Sequence, residues 1–159
     1  MEKIPFTPNG LKKLKDELNQ LKSFERQNVI RAISEAREHG DLSENAEYHA
    51  AREKQSFIEG RIKELEDVTS RAEVVDLSKI NGNIVTFGTK VVIFNDETEE
   101  ESSYSIVGPY EADISKGLIS TASPIARALI GKSEGDVVEV LTPSGNHPYE
   151  VISISKIES

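Results

Sequence analysis

Arg37-Glu38-His39-Gly40-Asp41-Leu42-Ser43-Glu44-Asn45-Ala46-Glu47-Tyr48 decides the architecture of the first half of this chain. It sets a glycine break and two carboxylates, Asp41 and Glu44, between two long segments of helical periodicity. On the N-terminal side, Thr7-Pro8 is a helix start: Thr7 serves as N-cap and Pro8 takes the first helical position, where its missing N–H costs nothing. Phe6 and Leu11 flank that start in the positions of a hydrophobic staple. Leu11, Leu14, Leu18 and Leu21 follow at spacings of three and four, the seam of a coiled coil. The next seam positions fall on Glu25 and Asn28, so the repeat fails there. It resumes four residues out of phase as Val29, Ile33 and Ala36, in the manner of a stutter.

On the C-terminal side a second helix is expected from about Ser43 to Arg71. Its seam is Ala51, Ile58, Leu65 and Ala72, joined by Gln55, Ile62 and Thr69. Ala46, Ala50 and Ala51 crowd its early turns, which lets the partner helix approach closely. Two helices of about 29 residues joined by a short turn run antiparallel, each about 43 Å long at ~1.5 Å per residue. The reading is an antiparallel coiled-coil hairpin with an acidic tip at 39–45.

The hydrophobic period changes near residue 73. Runs at 73–77, 83–87, 90–94, 103–107, 136–141 and 149–154 are β-branched or aromatic and separated by Gly and Asn, with a turn at Thr142-Pro143-Ser144-Gly145. Ser123-Pro124-Ile125-Ala126-Arg127-Ala128-Leu129-Ile130-Gly131 carries an N-cap, an N1 proline and a closing glycine, the marks of one short helix. The fold class is therefore α+β in two domains, divided as 1–76 and 77–159.

Composition narrows the function classes. The 159 residues carry a net charge of −9, of which residues 1–77 hold −3 and residues 78–159 hold −6. That balance argues against tight autonomous binding to nucleic acid, whose phosphates call for a basic surface. Cysteine is absent, which excludes disulfides, thiolate catalysis and thiolate metal sites. No apolar run approaches the ~20 residues of a membrane span, and Met1-Glu2-Lys3-Ile4-Pro5 lacks the apolar region of a secretory signal, so no membrane role and a cytoplasmic location are expected.

Two readings of the tip compete. Asp41-Leu42-Ser43-Glu44 fits a capping box, an N-cap acid with a glutamate three residues on. Alternatively, exposed acids at the end of a stiff rod stay ionised at neutral pH and can offer oxygens to a hard cation such as Mg2+. Two carboxylates make a poor Mg2+ site alone, but they can complete one built by another protein and a substrate phosphate. His39 and His49 lack metal-ligand spacing. The run Asp96-Glu97-Thr98-Glu99-Glu100-Glu101 reads as a solvated hairpin loop.

The stretch from Arg37 through Tyr48 to Glu53 resembles the signature of the GreA/GreB family of bacterial transcript-cleavage factors. Gly117-Leu118-Ile119-Ser120, Ser123 to Gly131 and Gly135-Asp136 resemble that family's second domain. The likeness covers essentially the whole chain. It implies a coiled coil that enters the secondary channel of RNA polymerase and a C-terminal domain, with a fold like that of FK506-binding proteins, that docks near the channel entrance. By motif match, Asp41 and Glu44 are the acids that help hold the second catalytic Mg2+ while the polymerase cleaves the backtracked RNA 3′ end. The protein itself then has no intrinsic cofactor and is not an enzyme. Ser123 and Pro124 fall in the region expected to dock on the polymerase. Arg37 and Arg52 are either members of an RNA-contacting basic patch or solvated ion-pair partners, and Tyr48 either stacks on a nucleotide or packs on the first helix. A hairpin that satisfies its own seam favours a monomer. One departure is Gln27, where the family often has proline after Glu25-Arg26.

Three other functions compete with that reading. A prolyl isomerase needs an apolar, aromatic-lined pocket, and residues 78–159 supply only Phe87, Phe94, Tyr104, Tyr110 and Tyr149 as aromatics. A channel-binding inhibitor of the same architecture, acting without cleavage stimulation, is the alternative, against which the intact tip acids argue. A structural adaptor leaves the acidic tip without a role.

Overall fold

The computed structural model describes residues 2–41 and 44–158. The chain divides into two compact units, one formed by Leu11–Ala72 and the other by Ile4–Gly10 with the residues from Glu73 onward.

The first unit is the expected helical hairpin. Its outgoing arm is α1 (Pro8–Gln20), a single π-helical turn (Leu21–Glu25) and α2 (Arg26–Arg37); its returning arm is α3 (Ala46–Ser70). Leu11, Leu14, Val29, Ile33 and Ala36 are buried along one arm and Ile58, Ile62, Leu65 and Val68 along the other. Leu18 and Leu21 pack against the cluster of Val29, Ile58 and Ile62. Ion pairs fix the antiparallel register. Arg26 donates through Nε (2.8 Å) and Nη2 (2.7 Å) to Glu59, Arg61 through Nε (2.8 Å) and Nη2 (3.1 Å) to Glu17, and Lys22 lies 3.7 Å from Glu66.

The break in the seam has a different cause from the expected four-residue stutter. A π turn accommodates one residue more than an α turn. Seam positions expected at Asn28 are taken by Val29, one residue later, and Ile33 and Ala36 continue that offset. Two further corrections concern α3. It opens at Ala46, not near Ser43 (Leu42 and Ser43 lie outside the described residues), and Val68 supplies the last buried position where the heptad pointed to Thr69 and Ala72. Ala72 instead begins strand β2 (Ala72–Val74), paired with β1 (Ile4–Phe6).

The second unit is built on a five-stranded sheet. In spatial order its strands are β5 (Leu118–Ser120), β4 (Glu100–Val107), β3 (Thr89–Asn95), β7 (Gly145–Lys156) and β6 (Val137–Thr142). Every pairing is antiparallel except β4 with β5, which is parallel. β7 is shared between β3 and β6, and a bulge at Val92/Ile93 shifts its register. Alternation along β3 sends Val91 and Ile93 inward to join Ile106, Val138, Val140 and Val151. The short helix α4 (Pro124–Leu129) closes this core with Ala126 and Leu129, both at 0% exposure. Residues 83–87, read from sequence as a strand, are not one. Val85 is buried and bonds the loop after α4 through Val85 N–H to the Lys132 carbonyl (2.9 Å) and Gly131 N–H to its own carbonyl (2.8 Å). Thr89 Oγ1 then closes a turn onto the Thr86 carbonyl at 2.7 Å. Tertiary contacts here override β propensity.

The start of α1 is held within this second unit. Thr7 Oγ1 accepts from Gly10 N–H at 3.1 Å, the expected N-cap. Glu111, absent from the sequence reading, accepts from Thr7 N–H (2.6 Å) and from Thr7 Oγ1–H (2.7 Å). A carboxylate there is also favoured by the helix macrodipole.

Candidate functional site at the hairpin tip

Local chemistry ends α2 and aims the tip. Glu38 N–H donates to the Glu35 carbonyl (3.2 Å) and His39 N–H to the Ala36 carbonyl (3.1 Å), tightening the last turn. Gly40 follows at φ +112°, a conformation that a side chain rarely adopts. Asp41 and Glu44 come next, both exposed.

α3 then begins behind Asn45, which is half-buried and extended (φ −87°, ψ 99°). Its Oδ1 accepts from Tyr48 N–H at 3.0 Å. Asn45, not Asp41, is therefore the cap of this helix, and the capping-box reading of the acids does not describe α3. Sequence reasoning missed it because Asp41, Ser43 and Asn45 are all good N-caps within five residues. The discriminating signal lies in Ala46, from which the helix runs without interruption.

Asp41 and Glu44 line one open groove of about 450 Å3 together with His39, Asn45, Ala46 and Glu47. His39 Nε2 lies 4.0 Å from Glu47 Oε2 across the two helix ends. Carboxylate oxygens are the donors a hard divalent cation prefers. Among the described residues, no group of three His, Cys, Asp or Glu side chains could hold a metal ion. The tip carboxylates thus fit Mg2+ only as a partial donor set.

The other residues singled out from sequence fall in two places. Arg37, the last residue of α2, sets its guanidinium 6.0 Å from the centroid of the half-buried Tyr48 ring, which meets His49 edge-on at 5.5 Å. Arg37 and Arg52 line a second groove of about 280 Å3 with Ile30, Ile33, Ser34 and Gln55. Tyr48 thus takes up contact with the outgoing arm through Arg37. Ser123 and Pro124 lie in the second unit at the start of α4, where Ser123 Oγ accepts from Ala126 N–H at 3.3 Å and Pro124 is exposed.

Ion pairing perturbs charged groups on the shaft. The Arg26 guanidinium, hydrogen-bonded to Glu59, holds that carboxyl below its ordinary value, and Arg26 is raised in turn. Hydrogen bonding to Glu17 raises Arg61 likewise.

Comparison with known proteins bears on the whole chain. Residues 4–74 match the family described as transcription elongation factor, N-terminal, and residues 80–156 match transcription elongation factor, GreA/GreB, C-term. The transcription elongation factor GreA of Rhodospirillum rubrum is 64% identical over 154 residues, covering 97% of this chain and 98% of that protein. Its counterpart in Ruegeria pomeroyi is 63% identical over 154 residues, with the same coverage. Among solved structures, the GreA factor homolog 1 of Thermus thermophilus is 29% identical with a TM-score of 0.45, covering 96% of this chain and 99% of that one. With both halves matched and relatives above 60% identity along nearly its full length, this chain belongs to the GreA/GreB family of transcription elongation factors.

Proposed function

We propose that this protein is a transcription elongation factor whose helical hairpin enters the secondary channel of bacterial RNA polymerase and stimulates the polymerase's own cleavage of backtracked RNA 3′ ends, rescuing arrested complexes. One observation carries the reading: Asp41 and Glu44 share a groove at the turn of the hairpin while the cap of α3 is supplied by Asn45. A 25-residue α3 gives the stalk about 37 Å of reach, at ~1.5 Å per residue. Asp41 and Glu44 offer carboxylate oxygens that complete a shared Mg2+ site in the polymerase. The ion, when bound, activates water for attack on the RNA phosphodiester. The chain acts as an accessory and not as an enzyme, since the remaining ligands and the substrate phosphate come from elsewhere.

In this reading the chain is a cytoplasmic monomer, and the hairpin (1–76) and docking domain (77–159) divide the work. Arg37, Arg52 and Tyr48 face the nascent RNA, where the two guanidiniums are suited to phosphate and the ring to stacking. Ser123 and Pro124 contact the polymerase. The test is RNA cleavage in a stalled elongation complex. Asp41→Asn or Glu44→Gln is expected to abolish stimulated cleavage while each variant still competes for polymerase binding. Cleavage unchanged in both variants refutes the proposal.

A further inference from the structure

Asn45 does more than cap a helix. Its Oδ1 accepts from Tyr48 N–H at 3.0 Å on α3, and its Nδ2 donates to the Ala36 carbonyl at 2.6 Å on α2. One carboxamide therefore joins the last turn of one arm to the first turn of the other, with Gly40, Asp41 and Glu44 in the loop it closes. The geometry requires an amide: the acceptor must face an N–H and the donor a carbonyl, and Asn provides both on one rigid plane. The Ala36 carbonyl also receives His39 N–H at 3.1 Å, so this bond reaches the residue that lines the acidic groove. Asp41 sits one residue past Gly40, whose lack of a Cβ lets the backbone turn at a φ of +112°. Asn45 thus ties the two helix ends across the base of the loop that carries both carboxylates.

We infer that Asn45 is a positioning residue for RNA cleavage, holding Asp41 and Glu44 at the spacing with which they meet the polymerase's metal. The inference rests on the function proposed above and deepens it. A displacement near 1 Å at a reacting centre costs on the order of a hundredfold in rate, so losing a tie beside the acids is expected to be visible.

The test uses two variants that both keep an N-cap acceptor. Asn45→Ser caps as well as asparagine but cannot span to Ala36, and Asn45→Asp keeps Oδ1 while removing the Nδ2–H donor. In the isolated protein, followed by amide hydrogen exchange, both variants are expected to leave Tyr48 N–H protected and to speed exchange at residues 38–41. In the elongation complex, both are expected to lower cleavage at limiting Mg2+ by tenfold or more, to recover toward wild type as Mg2+ is raised, and to bind polymerase as wild type does. Three results overturn the inference: unchanged exchange at residues 38–41, wild-type cleavage at every Mg2+ concentration, or a loss that Mg2+ does not restore. Asp41→Asn run alongside separates the two claims. If it is inactive while both Asn45 variants cleave normally, only the positioning role fails; if it and Glu44→Gln both cleave normally, the function itself fails.

Discussion

Gly10→Ala is expected to destabilise this protein, against the usual effect of replacing a helical glycine. A Cβ at Gly10 would lie 2.0 Å from Cδ, 2.3 Å from Oε2 and 2.4 Å from Cγ of Glu111. Glu111 can swing away only by releasing Thr7 N–H and Thr7 Oγ1–H, held at 2.6 and 2.7 Å. Thr7 is 5% exposed, so water replaces those bonds poorly. Hydrogen bonds to a charged group contribute about 1.5–3 kcal/mol each, and alanine returns about 1 kcal/mol through better helix propensity. The net cost is roughly 2–5 kcal/mol. In a unit of this size, a midpoint falls about 4–8 °C per kcal/mol, so calorimetry should read a drop of ~8 °C or more. Gly60 in α3 is the internal control: nothing lies within 4 Å of its Cβ position, and Gly60→Ala should stabilise by about 1 kcal/mol. With Glu111→Ala already in place, Gly10→Ala should change sign and become stabilising. The reasoning fails if Gly10→Ala raises the midpoint in the wild-type background, or if it stays destabilising after Glu111 is truncated.

Three further expectations follow from the same packing. Leu65 is 0% exposed in the hairpin seam, so Leu65→Ala should cost about 2–5 kcal/mol, read as early loss of helical signal on heating. Ser123→Ala removes the α4 cap and should cost about 1 kcal/mol, with Ser123→Gly milder; equal effects would show the cap bond is idle. Glu59 has its pKa lowered by Arg26, so the stabilisation it gives is full above the ordinary carboxylate pKa, about 4.3, and is lost as pH falls through the lower folded value. The melting difference between wild type and Glu59→Gln should therefore be constant near neutrality and vanish below that range; a difference that grows on acidification contradicts the ion pair.

Much of this fold was legible because its signals are local. The Leu11 to Leu21 seam, the Thr7-Pro8 and Ser123-Pro124 starts, and the glycine at 40 each depend on residues within a turn of one another. The acids at the tip were visible in the same way. What escaped depends on distant partners. Val85 sits in a β-branched run, yet its hydrogen bonds go to the loop at Gly131–Lys132. β5 is only three residues long and is fixed by a parallel pairing with β4 that no local pattern announces. Glu111 finds Thr7 across 104 positions of sequence. Asn45 was hidden for another reason: several good caps stood side by side, and only the backbone chooses among them.

The π turn at Leu21–Glu25 has a bearing on how such a stalk can change length. Each residue of α helix turns the chain by about 100°, so a single insertion in one arm rotates everything beyond it by more than a quarter circle. The bulge absorbs one such residue and returns Val29, Ile33 and Ala36 to the side facing α3. Deleting one residue within Leu21–Glu25 would restore regular helix and leave the same apolar groups facing α3, whereas a single deletion in the regular helix beside it would turn them toward solvent. Heading at the end of the hairpin is thus set half a stalk away, by a defect in winding.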